Sequence, residues 1–200
     1  METMTLHQFL DTQAGKEAVQ DVLAVIRALP DENNRPADVN PNNRMIDSRD
    51  VIRWRDHLED EFGSLEDAFD ELSEAWEEAA DEAGVAHDGP VLEVRDGVEA
   101  VRAWAGDMEL ENQFDRFEDE RDLWNTVVNE GEGYGDFMHG VTLVHEDHFE
   151  DHARDLAEDT GLIDREASWP HTCIDWEQAA NELRMDYTEI EIENETFLYR

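Results

Sequence analysis

Ile174-Asp175-Trp176-Glu177-Gln178-Ala179-Ala180-Asn181-Glu182-Leu183-Arg184-Met185-Asp186-Tyr187-Thr188, with the residues that follow to Arg200, decides the fold class. Asp175 and Gln178 make a capping-box-like helix start, with Ile174 placed as a hydrophobic staple on Ala179. Ala179, Ala180 and Leu183 carry that helix inward. Tyr187 to Ile192 and Thr196 to Tyr199 then alternate or run apolar around Glu193-Asn194-Glu195, which predicts a closing β-hairpin. A helix followed by a hairpin makes this end of the chain α+β.

Working outward, Val141-Thr142-Leu143-Val144 reads as a short strand. Phe149, Ala153, Leu156 and Ala157 form a helix closed by Gly161. Gly131, Gly133 and Gly135 break the chain before this module. Upstream the pattern is helical. Leu110, Phe114, Phe117, Arg121, Trp124 and Val128 follow a heptad-like spacing, read as a core stripe rather than a dimer seam. Residues 84–97 hold Gly84, Gly89, Pro90 and Gly97 around Val91-Leu92-Glu93-Val94, a strand or a loop. Ser64 with Asp67 looks like a helix start, and Leu65, Ala68, Phe69, Leu72, Ala75, Trp76, Ala79, Ala80 and Ala83 form its stripe up to Gly84. An earlier helix begins near Asp47 or Ser48 with Val51, Trp54, Leu58 and Phe62 inward. Ala18, Val19, Val22, Leu23, Ile26 and Leu29 mark a helix that Pro30 stops, and the Pro- and Asn-rich residues 30–45 read as a linker. The expected class is helix-rich α+β: an N-terminal helix and linker over 1–45, an acidic helical region over 46–130, and a small α+β module over 131–200 ending in the hairpin.

The chain of 200 residues carries 54 acidic against 15 basic residues, for a net charge of -39. Six Trp and eight Phe at periodic positions argue for folding in spite of that charge. Fourteen of the basic residues are Arg, and Lys16 is the one Lys. Self-repulsion on this scale destabilises a compact state in dilute buffer. At about 1 M salt the Debye length falls to roughly 3 Å and the repulsion is screened. Lysine depletion with surplus Asp and Glu therefore points to a protein of a high-salt cell. A chain this acidic is not expected to bind nucleic acid or an anionic membrane directly. No apolar run approaches the roughly 20 residues needed to span a bilayer, and Met1-Glu2-Thr3-Met4 lacks the basic start of a signal peptide. The expected location is the cytoplasm of the host cell.

Candidate chemistry is sparse. His145, His148 and His152 stand in HEDHFEDH, which is not the HExxH metalloprotease pattern. Where more than a quarter of the residues are acidic, carboxylates lie near any His by chance, and partly exposed surface histidines are the reading preferred over a metal site. Cys173, the single cysteine, excludes an internal disulfide and reads as a buried, inert thiol. The glycines at 131, 133, 135 and 140 lack the strand–loop–helix context and the following Lys of a phosphate loop. The chain is expected to be non-catalytic, without cofactor or metal.

One stretch resembles a known family. Gly140 to Val144, Phe149 with ARDLAEDTGLI, Ser168-Trp169-Pro170-His171-Thr172-Cys173, and above all IDWEQAANELRMDYT with Thr196 to Arg200 are similar to the C-terminal module of ArdA-type antirestriction proteins of phages and plasmids, in a haloarchaeal or haloviral version. Ile46-Asp47-Ser48-Arg49-Asp50-Val51-Ile52 looks like a start found in the same group. The resemblance implies a non-enzymatic DNA mimic that occupies the basic DNA-binding groove of a restriction–modification enzyme; a two-fold homodimer would extend the mimic face and match a symmetric target. The carboxylates expected to present such a surface are Glu66, Asp67, Asp70, Glu74, Glu77 and Glu78 on one helix, and Glu150, Asp151, Asp155, Glu158 and Asp159 on another. The alternative is a viral or prophage accessory or scaffold protein whose acidity is salt adaptation alone.

Overall fold

A computed structural model describes residues 3–87, 93–163 and 173–200. Helices dominate, and the chain closes in the expected C-terminal hairpin. Chain contacts group into two units, each discontinuous in sequence: Met1–Asn34 with Asp56–Arg121, and Arg35–Arg55 with Asp122–Arg200.

The first unit begins with β1 (Thr3–Met4), α1 (Leu6–Leu10) and α2 (Gln13–Ala28). Thr5 and Gln8 form a complete capping box on α1, and the Thr12 hydroxyl accepts from the Gly15 amide to start α2. Val19, Val22, Leu23 and Ile26 of α2 are buried, as their spacing requires. The unit also takes residues 56–83 of α3 (Ser48–Ala83), β3 (Ala86–His87), α4 (Val94–Ala105) and residues 109–121 of α5 (Glu109–Glu132). Val94, read from sequence with a strand or loop, opens α4 instead; residues 88–92 lie outside the described residues. β1 and β3 pair in parallel, Thr3 against Ala86 and Met4 against His87. The Trp76 indole donates to the Met4 carbonyl at 3.2 Å, tying that ribbon to α3.

α3 corrects the sequence reading. It is one helix of 36 residues, with no break at Ser64. The Ser64 hydroxyl donates back to the Asp60 carbonyl at 3.0 Å instead of capping a new helix. Leu58, Leu65, Phe69, Leu72 and Trp76 are all buried along one continuous stripe. Burying each such side chain is worth about 1.5–3 kcal/mol, whereas a new N-cap is worth about 1 kcal/mol, so the stripe wins. Gly84 at φ 67° then ends the helix, a conformation that suits glycine.

The second unit is built on an antiparallel sheet in the order β2-β4-β6-β5: Met45–Asp47, Thr142–His145, Glu195–Tyr199 and Thr188–Ile192. Ile46 pairs with Leu143, Val144 with Leu198, and Ile190 with Phe197. Helices α6 (Phe149–Asp159) and α7 (Trp176–Arg184) cover one face, where Val144, Phe149, Ala153, Ala180 and Leu198 form a core joined by Leu183 and Tyr187. The Asp175 carboxylate caps α7, accepting from the Gln178 amide at 3.0 Å. Phe137 packs edge-on against Tyr199. Buried Ser48 donates to the Phe137 carbonyl at 2.7 Å and accepts from the Val141 amide at 2.9 Å.

Residues 30–45 carry the chain from the first unit to the second, with the boundary between Asn34 and Arg35, and hold structure of their own. Two short 3-10 turns, Glu32–Asn34 and Ala37–Val39, lead into β2, and Leu29, Val39 and Ile46 are buried. Buried Leu110, Phe114, Phe117, Trp124 and Val128 make the α5 stripe a core stripe. α5 runs on to Glu132, so Gly131 lies inside its last turn, where a Cβ would stand 2.6 Å from the Phe137 ring. Among the described residues no helix is long and apolar enough to cross a membrane.

Candidate charged surfaces

The outer side of α3 carries the most concentrated charge. From Asp56 to Val94 the chain holds no Lys or Arg. Glu66, Asp67, Asp70, Glu74, Glu77 and Glu78 are all exposed, and so are Glu71, Asp81 and Glu82, which the sequence reading did not single out. Their signal was present in the numbering. Glu66, Asp70, Glu77 and Asp81 form one row. Asp67, Glu71, Glu78 and Glu82 form a second with the same spacing, and Glu74 lies between them. Each row repeats after 11 residues, close to three helical turns, so both rows run nearly straight. Residues 66 to 82 rise roughly 24 Å at 1.5 Å per residue. Nine carboxylates over that length give about one charge per 2.7 Å, against one per 1.7 Å in duplex DNA. Only Glu77 among the nine has an ion-pair partner in the described structure, His87 at 3.7 Å, which is charged only when protonated.

α6 differs. Glu150, Asp151 and Asp159 are exposed, while Asp155 and Glu158 are partly covered. Arg154 pairs with Glu150 at 3.3 Å and reaches Asp151 at 3.8 Å, and Arg44 pairs with Asp155 at 3.0 Å. Much of the charge on this ridge is neutralised locally. The six expected carboxylates of α3 belong to the first unit and the five of α6 to the second.

The arginines are used as clamps inside each unit. In the first, Arg95 pairs with Asp115 and Glu118, and Arg116 with Asp31 and Glu109. The hydrogen bond from Arg116 holds the Glu109 carboxyl below its usual range. Arg121 grips Glu59 with two hydrogen bonds at 2.8 and 3.0 Å and lies over the Phe62 ring. In the second unit, Arg184 joins Glu146 to Glu189, and the hydrogen bond from Arg49 holds Asp47 below its usual range.

The histidines serve packing. His145 is buried rather than on the surface; its Nδ1 accepts from the Asp147 amide at 3.2 Å, and its Nε2 lies 3.0 Å from Glu195. Because Nδ1 accepts, Nε2 carries the proton and donates to the carboxylate. His152 Nε2 lies 2.9 Å from the Tyr187 hydroxyl, and burial lowers its pKa. No group of three or more metal-binding side chains is assembled among the described residues. Cys173 is exposed, not buried as expected: it lies on the short turn before the α7 cap, outside the core. His171, two positions before it, lies outside the described residues, as do Ser168, Trp169, Pro170 and Thr172. No family model, curated protein or solved structure matches the chain.

Proposed function

We propose that the protein is a non-catalytic antirestriction factor of a virus, plasmid or prophage, an acidic DNA mimic that occupies the basic groove of a restriction–modification enzyme. The observation that supports this reading is the twin-row face of α3, where nine exposed carboxylates stand on one helix with no Lys or Arg among them. A DNA-binding groove reads phosphates largely through ion pairs, and a rigid row at near-phosphate density competes for the same cations. In molar salt that attraction weakens steeply, so the fit of the two rows to the groove has to contribute as well.

The ion-paired ridge of α6 favours a second reading for that element, in which its carboxylates belong to salt adaptation and internal clamping. The two readings separate in one experiment. Purified protein is titrated into a type I restriction–modification enzyme with labelled duplex, at 0.2 M and 1 M KCl. Under the mimic reading DNA is displaced, and replacing Glu66, Asp70, Glu77 and Asp81 by their amides raises the half-inhibitory concentration at least tenfold. Absence of displacement at both salts leaves salt adaptation as the account of the charge.

A further inference from the structure

The second unit has an open sheet edge with a definite chemistry. β5 is the last strand of the order β2-β4-β6-β5, and among the described residues only β6 pairs with it. The loop between them is the two residues Glu193 and Asn194, with Ile192 opposite Glu195. A two-residue hairpin closes on a hydrogen-bonded pair, and bonded and non-bonded pairs then alternate. Ile192, Ile190 and Thr188 therefore turn their backbone groups toward β6. Glu189 and Glu191 turn theirs outward, leaving two N–H and two C=O groups with no strand partner among the described residues. Both Glu side chains are exposed, whereas Ile190 and Ile192 are buried on the opposite face.

We propose that this edge receives an extended segment of a partner protein in which basic residues alternate with β-branched ones. Such a segment would add a fifth strand, bonding through the backbone of Glu189 and Glu191. Residues opposite those two lie on the carboxylate face; Arg184 already holds Glu189, so Arg or Lys is favoured chiefly beside Glu191, and the residue opposite Ile190 lies on the apolar face, where Val or Ile is favoured. Charge complementarity sets the choice of occupant. From Cys173 to Arg200 the chain has eight acidic residues and two basic ones, Arg184 and Arg200. Charges along an edge keep like chains from pairing; against a basic strand they attract. The ladder is a short-range interaction, so recognition by alternation persists at high salt, where bare charge is screened.

The test uses the full chain at 0.2 M and 2 M KCl. Fluorescence anisotropy is read with a labelled hexapeptide alternating arginine and valine, and with a block peptide of three arginines followed by three valines. The alternating peptide is expected to bind at least tenfold more tightly at 2 M KCl and to add hydrogen-exchange protection at the Glu189 and Glu191 amides. Glu191→Pro removes one outward N–H while leaving the bonds to β6, and is expected to abolish binding with Ile190 and Ile192 amides still protected; Glu191→Gln is expected to retain it at 2 M KCl. Equal affinity for the two peptides, no binding, or no added protection at Glu189 and Glu191 would overturn the proposal. Its failure is separate from that of the antirestriction reading, which rests on α3 and is read by displacement of duplex DNA.

Discussion

The Arg35 guanidinium donates to Glu193 Oε1 at 2.9 Å, and Glu193 holds its backbone at φ 58°, the one non-glycine residue among those described with positive φ. Arg35 also lies over the Trp124 ring, 5.2 Å from its centroid, with only 9% of its side chain exposed. The hairpin turn is therefore held in an unfavourable conformation by an arginine that is itself anchored in the unit. Glu193→Ala and Glu193→Gly both remove the ion pair, but only glycine relieves the backbone. Left-handed backbone costs a non-glycine residue about 1–2 kcal/mol. Glu193→Gly should be the more stable variant by about that amount, read as the difference in urea midpoint at constant salt.

The continuity of α3 has its own test. A serine bonded to the carbonyl four residues back contributes nothing to a helix start and slightly disfavours the helix. Ser64→Ala should change stability by less than about 0.5 kcal/mol. Asp175→Ala, which removes a real cap on α7, should cost about 1 kcal/mol. A loss at Ser64 equal to that at Asp175, measured by chemical denaturation, would restore a helix boundary at residue 64.

Close packing of α4 on α3 depends on Gly97. A Cβ built there would lie 2.5 Å from the Phe69 ring, and both residues are buried. Gly97→Ala should cost about 1–3 kcal/mol through overpacking. Phe69→Leu in the same chain should recover part of that loss, because the obstructing ring is gone. A double-mutant cycle checks this: independent effects that simply add would contradict the contact.

These positions also mark where the sequence was legible. The α7 cap, the hairpin and the α6 helix depend on residues within a few positions of each other, so periodicity and capping revealed them. The six carboxylates named on α3 were legible for the same reason, since an amphipathic helix sets its polar side by spacing alone. What failed was anything decided at long range. Local signals at Ser64 and Asp67 were overridden by an apolar stripe that tertiary packing buries. The short strand β2 at the end of the Pro- and Asn-rich stretch was missed because it exists only by pairing with β4, nearly one hundred residues later. The Arg44–Asp155 pair, which offsets part of the α6 ridge, joins residues 111 apart. The exposure of Cys173 had no signal in its neighbours.

Protonation of His152 gives the last prediction. Its ring lies against Phe149 and Tyr187, with its Nε2 near the Tyr187 hydroxyl, and Asp155 and Arg44 are the charged groups that act on it. Burial is the largest influence and lowers its pKa below 6.5, and the nearby arginine acts in the same direction, whereas Asp155 raises it. The folded state then binds fewer protons at this site than the unfolded chain does. Stability contributed by neutral His152 is complete above pH 6.5 and is lost as pH falls below it toward the lower folded value. Protonation of many carboxylates in the same range also changes the total, so the wild-type slope alone is not diagnostic. His152→Gln keeps a side chain that can hydrogen-bond to Tyr187 but cannot titrate. Measured in 2 M KCl between pH 8 and pH 5, the wild type should lose more stability, or gain less, than His152→Gln. Identical pH profiles would show that the contact between α6 and Tyr187 does not depend on the neutral ring.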